Sequence, residues 1–261
     1  MKAQRFNPAL TLLLALILMI PATTTFAADE PAPGNAAGTI ATIWVIWPKD
    51  GQTAQFEAAL KQHAAWRKNA GESFTWSIYQ PVVGSDLAHY VIRSGDHTWK
   101  DMDIEDGWET KAGASAEYDR QVGPYTARAE HYFAETDLKN SHWIDSNDYK
   151  YFGVSTYYTK PGMSADRMAA MDKINQAIVS AKWPYPFEVS STIGGRGQLV
   201  IVDPMKSYAD MADPTPSLME VLAKSLGSKD AAAATFRQFG STIDHSDYTV
   251  YAYRPDLSTP K

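Results

Sequence analysis

An internal repeat constrains this chain more than any other feature. Two stretches about 110 residues apart carry the same short matches in the same order. Trp47-Pro48-Lys49-Asp50-Gly51 precedes one helical stretch, and Tyr158-Thr159-Lys160-Pro161-Gly162 precedes another. Ala58-Ala59 then matches Ala169-Ala170, Val91-Ile92 matches Val200-Ile201, and Asp101-Met102 matches Asp210-Met211. Arg120-Gln121-Val122-Gly123 matches Arg237-Gln238-Phe239-Gly240, followed by Tyr132 with Tyr251 and Asp137-Leu138 with Asp256-Leu257. Each identity alone is weak. Their collinear order, with gaps falling only in loops, reads as a duplication.

Each half contains the same string of elements. Ala41–Trp47 and Tyr151–Tyr158 are β-rich. Thr53 and Ser164 are expected to cap the helices that follow. Apolar residues then recur at helical spacing, with Phe56, Leu60 and Ala64 in one half and Met168, Met171, Ile174 and Ile178 in the other. Two strands come next (Phe74–Tyr79 and Leu87–Arg93; Phe187–Thr192 and Gln198–Asp203), then a second helical region and a last strand at Ala127–Ala134 or Tyr248–Tyr253. The order is βαββαβ twice, an α+β fold of two tandem ferredoxin-like units with antiparallel sheets. The first repeat spans 39–138, a polar linker 139–149, the second repeat 150–257 and a short tail 258–261.

Strand parity assigns faces, because successive side chains point to opposite sides. Ile43, Val45, Phe74, Trp76, Ile78, Tyr90, Ile92, Ala129 and Phe133 are expected under the helices of the first half. Val154, Phe187, Val189, Leu199, Ile201, Tyr248, Val250 and Ala252 are expected under those of the second. The opposite faces are polar but rich in aromatic residues, and duplication lets two such faces close on each other around a cavity. With this element order and its Lys-Pro-Gly or Asp-Gly turns, residues 39–257 resemble the dimeric α+β-barrel superfamily. That group includes antibiotic-biosynthesis-monooxygenase-like and NIPSNAP-like domains, here in a fused form. The resemblance implies facing sheets. It leaves function open among cofactor-free oxygenases and isomerases, haem-binding enzymes and ligand binders.

The N-terminus reads as an export signal. Lys2 and Arg5 precede an apolar run, Ala9–Ile20, that Pro21 ends, and Thr25-Phe26-Ala27 supplies a cleavage site before Ala28. The run is shorter than the ~20 residues that span a bilayer, so residues 1–27 are expected to be removed and no stable membrane anchor to remain. Residues 28–38 form a Pro/Ala/Gly-rich leader, and the mature chain belongs in the periplasm of a two-membrane bacterium. The formal charge of −6 argues against nucleic acid as a partner. The absence of cysteine excludes thiol catalysis and covalently attached haem. The partner expected is a small molecule, while further oligomerisation is left open by the sequence.

Gly-rich phosphate loops, His-Glu-x-x-His and Gly-x-Ser-x-Gly are all missing. His89 and Arg128, on the expected inner face, are the candidate catalytic pair: an imidazole to move a proton and a guanidinium to hold the anion. Trp44, Tyr79, Arg93, Glu130, Tyr132, Tyr157 and Tyr251 are the candidate ligand-binding residues, lining an inter-sheet cavity for an aromatic or apolar molecule. No metal or cofactor is expected, with haem on His89 as the alternative that the resemblance implies. A structural role without a pocket is the other alternative. His63 and His131 are expected as buried, hydrogen-bonded histidines. Asp101, Asp103, Glu105 and Asp106 are expected in a solvated acidic loop. Arg120 and Arg237 are expected as last-turn helix charges, with Gly123 and Gly240 in left-handed positions behind them.

Overall fold

The structure, a computed structural model, describes residues 38–144, 146, 148–195 and 197–259. The export signal and nearly all of the leader lie outside these residues. The first repeat runs Ile40–Pro48 (β1), Thr53–Asn69 (α1), Ser77–Val83 (β2), Tyr90–His97 (β3), Trp99–Ala112 (α2), Ala114–Gln121 (α3) and Thr126–Thr136 (β4). The second runs Tyr151–Thr159 (β5), Ser164–Ala181 (α4), Glu188–Ile193 (β6), Gln198–Met205 (β7), Leu218–Leu226 (α5), Lys229–Ser241 (α6) and Ile243–Tyr253 (β8). The βαββαβ order therefore occurs twice, with the second helix of each repeat broken in two. Gly113 and Gly227, at φ 69° and 81°, take the left-handed conformation that ends α2 and α5. Gly123 instead opens a 3-10 turn and Gly240 lies inside α6, so neither takes the left-handed position expected of it.

All eight strands close into one antiparallel barrel in the order β1-β3-β2-β8-β5-β7-β6-β4. Each repeat contributes a four-stranded sheet, and two seams join them. Tyr79 pairs with Tyr253 across the β2–β8 seam, and Ala134 pairs with Thr192 across the β4–β6 seam. The two sheets thus face each other across a lumen. Helices pack outside: Phe56, Leu60 and Val122 close over Ile46, Ile78, Tyr90 and Ile92, while Ile174, Ile178 and Leu222 close over Phe187, Val189 and Leu199. The connecting segment is docked rather than loose, because His142 bridges to Phe187. Among the described residues, no helix is long and apolar enough to cross a membrane.

The first strand of each repeat lies one residue out of the expected parity. Trp44 is therefore not lumen-facing: it pairs with Ile92 and Ile46 with Tyr90, which places Trp44 and Ile46 under the helices and turns Ile43 and Val45 into the lumen. Likewise Tyr157 pairs with Leu199 and faces the helices, and Val154 faces inward beside Val202. Both strands carry bulky or apolar residues on both faces, so alternation gives no signal there.

Other local expectations also shift. Thr53 and Ser164 are the first helical residues and make no cap bond, whereas Thr98, Ser217 and Ser228 do cap their helices. The acidic segment is no loop. Thr98 and Asp101 form a capping box, and helix α2 buries Glu105. Among the described residues, no group of carboxylates and histidines is placed to hold a metal.

Candidate functional site

A cavity of about 310 Å³ lies between α1, α3 and the outer face of the first sheet. Its apolar wall comes from Trp44, Ile46, Leu60, Trp76, Ile78 and Ile92. Its polar groups are His63 and Arg67 on α1, Glu109 on α2, and Ser115, Tyr118 and Asp119 on α3. Trp44 and Ala129 stand at an exposed part of the rim.

His63 is the unusual residue in this cavity. It is buried, stacks on Trp66 with centroids 5.6 Å apart and meets Tyr118 edge-on at 5.5 Å, yet its Nδ1 has no hydrogen-bond partner. Burial, helped by Arg67, lowers its pKa to about 4, so the imidazole is neutral at physiological pH. Arg67, one turn on, is fully engaged. Its Nη2 lies 2.5, 2.8 and 2.9 Å from Glu72, Glu105 and Glu109, and Trp76 and Trp108 flank the guanidinium at 5.2 and 5.0 Å. One cation thus meets three carboxylates, and burial with the nearby Glu72 raises the pKa of Glu105. The cavity consequently offers a neutral imidazole and no spare positive charge.

The second constellation sits at the barrel end where the β2–β3 turn lies. Tyr251 Oη is 3.0 Å from His89 Nε2, and His89 Nδ1 is 3.4 Å from Asp86 Oδ2. Arg128 lies 3.7 Å above the Trp47 ring and 3.7 Å from Glu130, which accepts a hydrogen bond from Tyr132. Burial lowers the His89 pKa against the opposing pull of Asp86, and burial raises that of Tyr251 to about 12.

Five of the candidate residues thus gather at one barrel end: His89, Arg128, Glu130, Tyr132 and Tyr251. Tyr79 lies deeper in the lumen, edge-on to Phe152 at 5.1 Å and beside Tyr253 at 5.6 Å. Arg93 reaches across the lumen to Glu188 of the other repeat at 3.6 Å. Trp44 instead lines the helix–sheet cavity, and Tyr157 packs edge-on against Phe239 of α6 at 5.3 Å. His131 is exposed rather than buried, because no helix covers it; it is hydrogen-bonded to Thr42 at 2.8 Å and stacked on Trp44 at 4.2 Å. The sequence did not single out Trp76, Tyr118, Arg67 or Asp86. A signal existed for the cavity: His63 stands where the other repeat has the buried Ile174.

No protein-family model and no curated protein matches the chain. Solved structures do. A putative monooxygenase from Fusobacterium nucleatum is 11% identical, with 84% of this chain and 93% of that one aligned at a TM-score of 0.53. An anthrone oxidase-like protein is 11% identical, over 85% of this chain and 94% of that one, at 0.51. A chlorite dismutase variant from Candidatus Nitrospira defluvii is 13% identical, over 84% and 92%, at 0.51. At such identities the likeness is one of fold, and it covers about 84% of this chain. The chain therefore has the dimeric α+β-barrel fold, with one polypeptide supplying both ferredoxin-like halves.

Proposed function

We propose that the protein binds a small, largely apolar aromatic molecule in the cavity between α1, α3 and the first sheet. The observation that carries this reading is His63, a neutral imidazole without a bond at Nδ1, set in a wall of indoles, a phenol and aliphatic side chains. Such a group recognises the polar end of an otherwise apolar ligand. Arg67, saturated by carboxylates, gives a carboxylate ligand no partner, so a neutral molecule suits the cavity best. The cavity lies at the small end of the ligand-pocket range, sized for a bicyclic or tricyclic molecule. Proton abstraction by His63, as in cofactor-free isomerase or oxygenase chemistry, is available in principle. Its depressed pKa makes it a weak base, which favours binding over turnover.

Calorimetry with 2-naphthamide, a planar probe with an N–H donor, tests the proposal. Saturable binding is expected in the wild type. Ala64→Phe, which fills the cavity, should abolish it, and His63→Leu should weaken it about tenfold. Equal binding by wild type and Ala64→Phe would overturn the assignment.

Haem suits neither imidazole. At His89 the Nε2 is engaged by Tyr251 and the Nδ1 faces Asp86, so neither nitrogen is open to iron without displacing a neighbour. At His63 the cavity is smaller than a tetrapyrrole. Haem titration is expected to give no Soret shift, and a stoichiometric shift lost in His89→Ala would restore the haem reading. Export, with a mature start near Ala28, belongs to the same proposal and is supported by Lys2, Arg5 and the Ala9–Ile20 run. N-terminal sequencing of the purified protein decides it, and an intact Met1 would count against it.

A further inference from the structure

The barrel end beneath the β2–β3 turn holds a row of three ionisable groups drawn from both repeats. Asp86 lies in the turn, His89 directly precedes β3, and Tyr251 lies on β8. Asp86 is itself fixed in place: Trp47 Nε1 donates to its Oδ2 at 2.8 Å, and the Ala88 N–H donates to Oδ1 at 3.0 Å. These donors, Trp47 foremost, hold the carboxyl below its usual range, so Asp86 stays ionised. His89 Nδ1 makes no hydrogen bond, but the Asp86 carboxylate 3.4 Å away favours the tautomer with its hydrogen on Nδ1, which leaves Nε2 to accept from the Tyr251 phenol. The phenol oxygen then keeps lone pairs for a further donor.

Two more features point to a ligand here. Arg128 is spread over Trp47 with most of its side chain exposed, and its one ion-pair contact among the described residues is the long one to Glu130. Below the row, the inward-facing Val45, Val91, Val154, Val200 and Val202 are only half-buried, so apolar side chains face an open lumen that also holds the Arg93–Glu188 pair. A clasp between turn and strand would need only one donor and one acceptor. The order carboxylate, imidazole, phenol, with a free-edged cation beside it and valine side chains in the open lumen beneath, is the arrangement of a base relay.

We propose that this barrel end is a second site, which takes a proton from a small, weakly acidic hydroxyl compound, such as a phenol or enol, and holds the resulting anion beside Arg128. The ligand O–H bond breaks as its proton passes to Tyr251 Oη. The phenol proton passes in the same step to His89 Nε2, and Asp86 holds the imidazolium. One proton moves from ligand to His89, and nothing is oxidised or reduced.

The probe is 4-nitrophenol, whose phenolate absorbs in the visible, at a pH where the free probe is largely protonated. The wild type is expected to bind it as the phenolate. His89→Gln and Tyr251→Phe should lose the phenolate band while keeping the circular dichroism of the wild type, and Arg128→Gln should bind about tenfold more weakly. Ala64→Phe should leave the band unchanged, which separates this site from the cavity under α1. A wild type without a band, a band that survives both His89→Gln and Tyr251→Phe, or one that vanishes in Ala64→Phe would overturn the proposal. If both relay variants unfold, the nitrogen NMR shifts of His89 in the wild type decide. Conversion from singly to doubly protonated on adding probe supports the relay, and an unchanged ring refutes it.

Discussion

Two buried residues of the first repeat give stability opposite pH dependences, and the signs follow from which state binds the proton. His63 has its pKa lowered from 6.5 to about 4, chiefly by burial. As pH falls through that window the unfolded chain takes up a proton that the folded one refuses, so stability drops, by at most ~1.4 kcal/mol per pH unit. Glu105 is shifted the other way, from 4.5 to about 8. Burial is the largest cause and Glu72 the next, together outweighing an Arg67 whose charge three carboxylates share. Here the folded state holds the proton, so stability falls as pH rises from 4.5 towards 8. Denaturant titrations across pH should show His63→Leu flattening the acid limb and Glu105→Gln flattening the alkaline one. A limb unaltered by its own variant would mean that the group titrates normally in the folded protein.

At the scale of strands, turns and helices, the β6–β7 turn shows how a local conformation supports the barrel end. Gly195 has φ +60°, and a Cβ there would lie 2.9 Å from the Tyr132 ring. Gly195→Ala is expected to cost about 1–2 kcal/mol in backbone strain, displace Tyr132 and lower the unfolding midpoint; an unchanged midpoint would show that the turn relaxes freely. The barrel end was legible in the sequence because β4 and β8 place Arg128 and Tyr251 on polar faces that alternate with apolar ones, and His89, just before β3, continues the polar face of that strand. In β1 and β5 both faces are bulky or apolar, so the same rule misplaced Trp44 and Tyr157. The acidic run of α2 reads as solvated until Arg67 and Glu72, from outside that helix, are seen to meet Glu105. The helix–sheet cavity was the least legible feature. It is a gap among α1, α3 and the first sheet, and no one segment encodes a gap.

For the molecule as a whole, the two seams make each repeat depend on the other for a strand partner on both edges. Six of the eight tryptophans lie in the first repeat, so fluorescence reports mainly on that half, whereas far-UV circular dichroism reports on both. The two signals are expected to give coincident denaturation curves even in a chain of this length. Separate midpoints would mean that the halves unfold independently and that the seams are weak. The same closure bears on how such a molecule can change. In a pair of identical chains related by a two-fold axis, every substitution is made twice, once in each half. In this chain it is made once. Ile174 became or stayed aliphatic while its counterpart is His63, and Phe56 has Arg167 opposite it, without either change being imposed on the other side of the barrel. Fusion releases the two halves from mirrored descent, so one can acquire chemistry while the other keeps the shape.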